Sequence, residues 1–180
     1  MRGVDQIKRV AVIGTGTIGF SWTLVFSRAG LATRVYDADP KQLDSLRDRV
    51  AIGLAALRRA GRLTVGDLEA ASNRVSYCAD LASALEDADY VQESVPESLS
   101  LKQEVFEELD RRTPRATILG SSASALPMTE IARYTRHPER CIVAHPTNPP
   151  HLVPLVEVVP GVKTDPEVTH ATYAFMKRLG

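Results

Sequence analysis

The chain of 180 residues carries 22 lysines and arginines against 22 aspartates and glutamates, so its formal net charge is zero. This balance does not favour a nucleic acid or an anionic membrane as the main partner. The chain is long enough for one domain, predicted over residues 1–180, and its 44% of hydrophobic residues can form a core.

Residues 1–9 contain no apolar secretion-signal segment, and no apolar run reaches membrane-spanning length. Cys78 and Cys141 are predicted to be buried thiols in a reducing compartment, which predicts a cytoplasmic protein.

The first element is an apolar strand, residues 10–13, that runs into a G-x-G-x-x-G turn. Gly14 permits the tight turn out of the strand, and Gly16 lets the backbone approach a diphosphate. Gly19 allows the following helix to pack close to the strand. Glycine-rich turns are common, and a purely structural turn is the alternative. The strand before it and the helix after it favour a dinucleotide site.

The helix after the turn is predicted over residues 18–29, and its first N–H groups, around Thr17 and Ile18, face the phosphates. A second strand at residues 33–36 ends on Asp37, at the distance expected for an acid that binds the adenosine ribose hydroxyls. Its charge repels a 2′-phosphate, which favours NAD over NADP.

The next segment, residues 40–73, is predicted to be a pair of helices that projects from the sheet. Its arginines, among them Arg47, Arg49, Arg58 and Arg59, could meet a phosphate-bearing substrate, but a solvated helix face is the preferred interpretation.

Strands and helices then alternate to the end of the chain. Strands are predicted at 74–78, 89–93, 116–120, 140–144 and 155–159, and helices near 79–86, 99–112, 127–134 and 166–179. This alternation predicts an α/β fold of the Rossmann type: a doubly wound, mainly parallel sheet, here with a helical-hairpin insertion.

Residues of chemical interest cluster late in the chain. His145 follows a buried strand at the end where such sheets bind ligands, and Glu157 interrupts the apolar run of the last strand. A carboxylate buried there needs a partner, and a histidine N–H is one. Such a pair fixes the tautomer of a general base. The residues alone leave a second interpretation open, in which His145 is a core histidine and Glu157 faces solvent from an edge strand.

Three other functions fit less well. A metal site of His145, His151 and His170 has no compact ligand spacing. A hydrolase that uses Ser124, His145 and Glu157 lacks the G-x-S-x-G elbow. An NADP-linked reductase of the 6-phosphogluconate type is disfavoured by Asp37 and by the spacing of His145 and Glu157.

Three segments of the second half carry a resemblance to a known family: residues 92–97 (QESVPE), 121–124 (SSAS), and 145–150 (HPTNPP) through 154–160 (PLVEVVP). With the glycine turn, they make nearly the whole chain resemble the NAD-binding domain of the 3-hydroxyacyl-CoA dehydrogenases. Within that superfamily, the chain is most similar to the branch of lambda-crystallin and L-gulonate 3-dehydrogenase.

The resemblance implies a role for each matching residue. His145 matches the catalytic base, Glu157 the acid that orients it, and Ser124 a serine that binds the substrate oxygen. Asn148 matches a contact of the nicotinamide half of NAD. Glu97 and Lys102 match positions near the nicotinamide ribose, although Lys102 could equally be a solvated lysine on its helix.

The activity implied is oxidation of the 3-hydroxyl of a 3-hydroxyacyl-CoA or related 3-hydroxy acid, by hydride transfer to NAD, in fatty acid metabolism. L-gulonate 3-dehydrogenase, carnitine 3-dehydrogenase and a non-catalytic, crystallin-like NAD-binding protein are the alternatives. Family members continue into a helical domain that closes the cleft and forms a homodimer. We therefore expect that residues 1–180 are a domain excised from a two-domain enzyme, one that binds NAD but catalyses poorly.

Overall fold

The computed structural model describes residues 6–179, so residues 1–5 and 180 lie outside the described part of the chain. Residues 1–5 belong to the N-terminal segment, residues 1–9, that was used above to predict a cytoplasmic location. The strands in that part are Arg9–Ile13 (β1), Ala32–Tyr36 (β2), Val75–Tyr77 (β3), Tyr90–Glu93 (β4), Ile118–Ser121 (β5), Cys141–Pro146 (β6) and Val156–Pro160 (β7). They form one sheet in the order β3-β2-β1-β4-β5-β6-β7. Every neighbouring pair is parallel except β6 and β7. This is the Rossmann-type, mainly parallel sheet that the alternation of elements predicts.

Helices cover both faces of the sheet. They are Thr17–Arg28 (α1), Pro40–Arg59 (α2), Val65–Asn73 (α3), Leu81–Leu85 (α4), Leu99–Arg112 (α5), Met128–Ile131 (α6) and Pro166–Leu179 (α7). On one face, Trp22 stacks on Phe26 and Phe26 on Phe175, with ring centroids 5.0 and 5.9 Å apart. On the other face, Phe106 and Leu109 of α5 are fully buried. The sheet is therefore enclosed between two apolar layers, as a parallel sheet requires.

The predicted pair of helices is present as α2 and α3, and α2 packs on α1. Leu46, Val50 and Leu54 of α2 are buried in the same cluster as the core residues of α1. A Cβ built on Gly53 would lie 2.7 Å from Leu24 of α1, so α2 packs tightly on α1. The apolar stripe correctly identifies a buried face.

The two cysteines are free, as expected, but they differ in environment. Cys141 is buried in β6, and burial raises the pKa of its thiol to about 12. Cys78 lies just beyond β3 and is only half-buried, so the prediction of two buried strand cysteines is wrong for this residue. Within residues 6–179, no helix combines the length and the apolar character needed to cross a bilayer.

The topology sets the place of a ligand. From β1 the chain first adds β2 and β3 on one side and then crosses to add β4 on the other. The crevice at the carboxyl ends of β1 and β4 lies at this switch, which is where open α/β sheets bind their ligands.

Candidate cofactor and active site

Two neighbouring cavities open at the carboxyl ends of the parallel strands. The first cavity, of about 470 Å³, is lined by the glycine turn, the end of β2 and one side of α5. The second cavity, of about 570 Å³, is lined by the start of α1, the loop after β4, and the loops after β5 and β6. Residues 94–96 line both cavities. An elongated ligand can therefore extend from one cavity into the other over this loop.

The glycine turn has the geometry that a phosphate site needs. Gly14 has a φ of +88°, and a Cβ there would lie 2.7 Å from the Ser94 carbonyl oxygen. A Cβ on Gly19 would lie 1.8 Å from the Gly14 carbonyl oxygen, so only glycine allows α1 to approach the turn. Gly16 faces open space, with no atom within 4 Å of a Cβ built there. A diphosphate can approach the backbone at that point, next to the free N–H groups at the start of α1.

Asp37 lines the first cavity and also holds the glycine turn. Its Oδ2 accepts hydrogen bonds from the backbone N–H of Thr15, at 2.7 Å, and from the Thr15 hydroxyl, at 2.8 Å. Its Oδ1 accepts from the N–H of Asp39 at 2.9 Å. A carboxylate has about four acceptor sites, so capacity remains for a ribose hydroxyl.

Arg49 binds the other side of the turn, because its Nη2 donates to the Thr15 carbonyl oxygen at 2.6 Å. Its guanidinium also lies over the ring of Phe20, 5.6 Å from the centroid, and that of Arg47 lies over Tyr77 at 4.5 Å. The expectation of a solvated arginine face is therefore wrong for Arg49, which is half-buried, whereas Arg47 is exposed.

The second cavity brings together most of the residues that the sequence singles out. The predicted site residues on its wall are Thr17, Ile18, Glu97, Lys102, Ser124, His145 and Asn148. Gly14, Gly16 and Asp37 line the first cavity, whereas Gly19 lies beneath the turn and lines neither. Within residues 6–179 no group of three metal-ligating side chains is present.

His145 and Glu157 are directly opposite each other in the β6–β7 pairing. The distance from His145 Nδ1 to Glu157 Oε2 is 2.9 Å. An acceptor carboxylate at Nδ1 requires a proton there, so Nε2 is left with a free lone pair. The Glu157 side chain is 66% exposed and that of His145 29%. The predicted contact is therefore present, but the premise that Glu157 is buried in its strand is wrong.

Glu97 and Ser124 are linked through the backbone. Glu97 Oε1 accepts from the N–H groups of Ser124 and Ala125, at 2.9 and 3.1 Å. Burial raises the pKa of Glu97, but these two N–H groups and the Lys102 ammonium outweigh that effect, so the net pKa lies below its usual range. An ionised Glu97 thus fixes the loop that carries the Ser124 hydroxyl.

Lys102 is not solvated, because its side chain is only 1% exposed. Its Nζ lies 2.7 Å from Glu93 Oε1, 3.4 Å from Glu97 Oε2 and 3.2 Å from the Val95 carbonyl oxygen. Glu93 in turn accepts from the Val95 N–H at 2.6 Å. Burial raises the pKa of Glu93, while Lys102, the Ser121 hydroxyl and the Val95 N–H act in the opposite direction. The buried pair holds both backbone groups of Val95, and with them the loop shared by the two cavities.

Sequence reasoning assigned no role to Glu93, Ser94 or Ser122, although all three lie in segments that carry the family resemblance. A buried carboxylate in β4 is the one signal that could have marked Glu93. The two serines form a hydrogen-bonded pair, with their Oγ atoms 2.9 Å apart, and only the three-dimensional arrangement reveals it.

These observations fit NAD. The open face at Gly16, the carboxylate of Asp37 and two connected cavities provide a phosphate site and a place for each nucleoside. A family model for the NAD-binding domain of 3-hydroxyacyl-CoA dehydrogenases matches residues 9–180. The chain belongs to this family. Its cofactor is NAD.

Curated relatives agree with this assignment. The chain is 39% identical over 173 residues to the lambda-crystallin homolog of Mus musculus, covering 95% of this chain and 54% of that protein. It is 41% identical over 162 residues to the L-carnitine dehydrogenase of Streptomyces griseus, covering 90% of this chain and 47% of that protein. The chain thus spans about half the length of the curated relatives that it matches.

Solved structures of the same family superpose closely. A 3-hydroxybutyryl-CoA dehydrogenase from Escherichia coli is 31% identical with a TM-score of 0.93, covering 97% of this chain and 37% of that one. A diketoreductase is 32% identical with a TM-score of 0.91, covering 100% of this chain and 63% of that one.

Proposed function

We propose that this domain serves an NAD-dependent dehydrogenase that oxidises the 3-hydroxyl group of a 3-hydroxy acid or a 3-hydroxyacyl thioester. The observation that carries the proposal is the contact of Glu157 with His145, which lines the second cavity. The carboxylate at Nδ1 leaves Nε2 as the proton acceptor, which is the arrangement of a general base.

The roles of the residues follow from their positions. Nε2 of His145 accepts the proton of the substrate hydroxyl, and Glu157 holds the imidazolium that results. The Ser124 hydroxyl, on the same cavity wall, donates a hydrogen bond to the substrate oxygen. When bound, NAD supplies the hydride acceptor. In the reverse direction the imidazolium returns the proton. Thr17 and Ile18, at the start of α1, bind the phosphates through their N–H groups, and Glu97, Lys102 and Asn148 bind or position the nicotinamide half.

The preferred substrate class is a compact 3-hydroxy acid. Support comes from the relatives named L-carnitine dehydrogenase, at 37–41% identity, compared with 31% for the E. coli structure named for a CoA substrate. Initial rates of NAD reduction with L-carnitine, L-gulonate and 3-hydroxybutyryl-CoA test this choice. Faster turnover of the thioester than of either free acid would reverse it.

The His145→Gln variant tests the activity itself. Loss of a general base lowers kcat by a factor of about 10²–10⁴. The dissociation constant for NAD should stay unchanged, because the glycine turn and Asp37 are untouched. His170→Gln is the matched control, since His170 is an exposed histidine on α7. Equal rates for wild type and His145→Gln would contradict the proposed role of His145.

A non-catalytic NAD-binding protein is the second candidate, favoured by the relatives named lambda-crystallin, at 36–40% identity. This candidate predicts NAD binding without turnover of any of the three substrates, in the wild type as well as in the variant. A cytoplasmic location, a homodimer of the longer protein and a place in fatty acid metabolism belong to the proposal as well.

A further inference from the structure

A hydrogen-bond junction lies at the wall of the second cavity, at the hydroxyl group of Ser122. This residue follows β5 and is half-buried. Its Oγ lies 3.1 Å from Trp22 Nε1, 2.8 Å from Gln92 Nε2 and 2.9 Å from Ser94 Oγ. Three polar neighbours fill the hydrogen-bonding capacity of one hydroxyl group, which is two acceptor sites and one donor.

The donors at this junction can be assigned from chemistry alone. The indole Nε1 of Trp22 carries a hydrogen and can only donate. The amide of Gln92 is held in one orientation: Oε1 accepts from the Tyr90 hydroxyl at 2.7 Å, and Nε2 faces the Ala144 carbonyl oxygen at 3.3 Å. The flipped amide would place two oxygens against each other at Ala144. Gln92 therefore donates to Ser122 through Nε2.

The hydroxyl group of Ser122 can donate its hydrogen bond only to Ser94. Both of its acceptor sites are occupied by the donors Trp22 and Gln92, so its own O–H donates to Ser94 Oγ. Ser94 is the acceptor in that bond and keeps its own proton. Among residues 6–179, no second hydrogen-bond partner lies near the Ser94 hydroxyl.

The Ser94 hydroxyl oxygen lies on the side of the second cavity. Ser94 lines both cavities, but Ser122, to which its hydroxyl is bonded, lines only the second. We propose that Ser94 is a cofactor-binding residue that donates a hydrogen bond to a neutral acceptor oxygen, a ribose or carboxamide oxygen, in the nicotinamide half of NAD. The inference rests on the proposed function and adds a contact to it.

Ser94→Ala removes the donor and tests the inference. Calorimetric titration of the 180-residue chain with NAD should give a dissociation constant about three- to tenfold above that of the wild type, the effect of one neutral hydrogen bond. The dissociation constant for AMP should not change, because AMP has no nicotinamide half. Ser45→Ala, at an exposed serine on α2, is the matched control and should leave both constants unchanged.

A second variant distinguishes the effect of losing the hydrogen-bond donor from the effect of losing side-chain volume. Ser94→Cys retains most of the bulk, but a thiol is a weak donor, so it should weaken NAD binding as Ser94→Ala does. Wild-type affinity for NAD in either variant overturns the inference, and so does an equal weakening of AMP and NAD. Absence of NAD binding by the wild type would instead overturn the proposed function, so the two failures are distinguishable.

Discussion

His145 and Glu157 are in contact because the register of β6 and β7 places them opposite each other. The exposure of the Glu157 carboxylate limits the strength of its electrostatic interaction with the imidazole. Glu157 lies on the edge strand β7, with 66% of its side chain exposed. Water screens such a charge, so its interaction with the imidazole is weaker than that of a buried carboxylate. We therefore expect the main contribution of Glu157 to be the orientation of the His145 ring.

Substitutions at Glu157 test this division between orientation and charge. Glu157→Ala should lower kcat about tenfold, because the ring loses the acceptor that fixes its tautomer. Glu157→Gln retains an acceptor oxygen and should lower kcat only about threefold. Steady-state rates and NAD titrations on both variants provide the measurement, and the affinity for NAD should not change.

Glu167→Ala, an exposed carboxylate on α7, serves as the control for lost surface charge. A loss of about 10³-fold or more in Glu157→Gln would mean that the charge itself dominates. Unchanged rates in Glu157→Ala would mean that His145 is oriented by something else.

Among the elements, the loop between β6 and β7 is anchored to α1 by His151. The Ser21 hydroxyl of α1 donates to the Thr17 carbonyl oxygen at 2.9 Å, so its Oγ acts as acceptor toward His151 Nδ1, 3.0 Å away. Arg28 Nη1 lies 3.4 Å from the His151 carbonyl oxygen, and Phe20 meets the imidazole ring edge to face. The same loop carries Asn148. His151 thus ties a wall of the second cavity to the helix that begins at the phosphate site.

Acidification should weaken this anchor. Burial, and next the nearby Arg28 guanidinium, lower the pKa of His151 below its ordinary 6.5. The neutral ring is thus favoured in the folded state. This stabilisation is present above about pH 6.5 and is lost as the pH falls through the lower folded-state pKa. Urea unfolding of the wild type and of His151→Gln, at about pH 7.5 and about pH 5, measures the effect.

The wild type should lose more free energy of unfolding between these pH values than His151→Gln does. At the higher pH the variant should be less stable by about 1 kcal/mol, the value of one hydrogen bond. All other ionisable groups are the same in both proteins, so their contribution cancels in the comparison. Parallel pH dependence in the two proteins would exclude His151 as the pH-sensitive group.

Local pattern identifies most elements but not how they pack. The apolar stripe of α2 and the Asp39-Pro40 start predict the helix and its buried face, because both are properties of neighbouring residues. The packing of that face on α1 depends on Leu24 and Gly53, which are far apart in sequence. Predicted boundaries shift where an end has no strong cap, as in α6, which is shorter than the segment predicted for it.

In the candidate site, too, the sequence pattern identifies some residues, whereas others are recognised only in the folded structure. Gly14, Asp37 and His145 stand at recognisable spacings after strands, so the sequence indicates both these residues and their place in the cleft. The proposed roles of Lys102 and Ser94 depend on burial and on which atom holds which proton. Neither burial nor the position of a proton leaves a periodicity or a spacing in the sequence, so only the folded structure reveals them.

At the scale of the whole molecule, the two cavities differ in how the protein surrounds them. The first lies between the glycine turn and α5, with the apolar Ile13, Leu101 and Val105 on its wall. The second is bordered by His145, and the carboxylate behind it faces solvent. The two halves of the proposed site therefore differ in environment. The cleft proposed for the adenosine half of NAD has apolar walls, whereas the proposed reaction takes place beside a solvent-exposed carboxylate.

We therefore expect the 180-residue chain to bind NAD well but to turn over slowly. Water near His145 and Glu157 weakens the electrostatic stabilisation of developing charge, which depends on a low local dielectric constant. The measurements are the dissociation constant for NAD and kcat with the best of the three substrates. The L-carnitine dehydrogenase of Streptomyces griseus, assayed on L-carnitine, provides the comparison. NAD binding in the micromolar range together with a kcat at least about 10²-fold below that enzyme is the expected result. A kcat equal to that of the longer relative would show that residues 1–180 already exclude water well enough for catalysis.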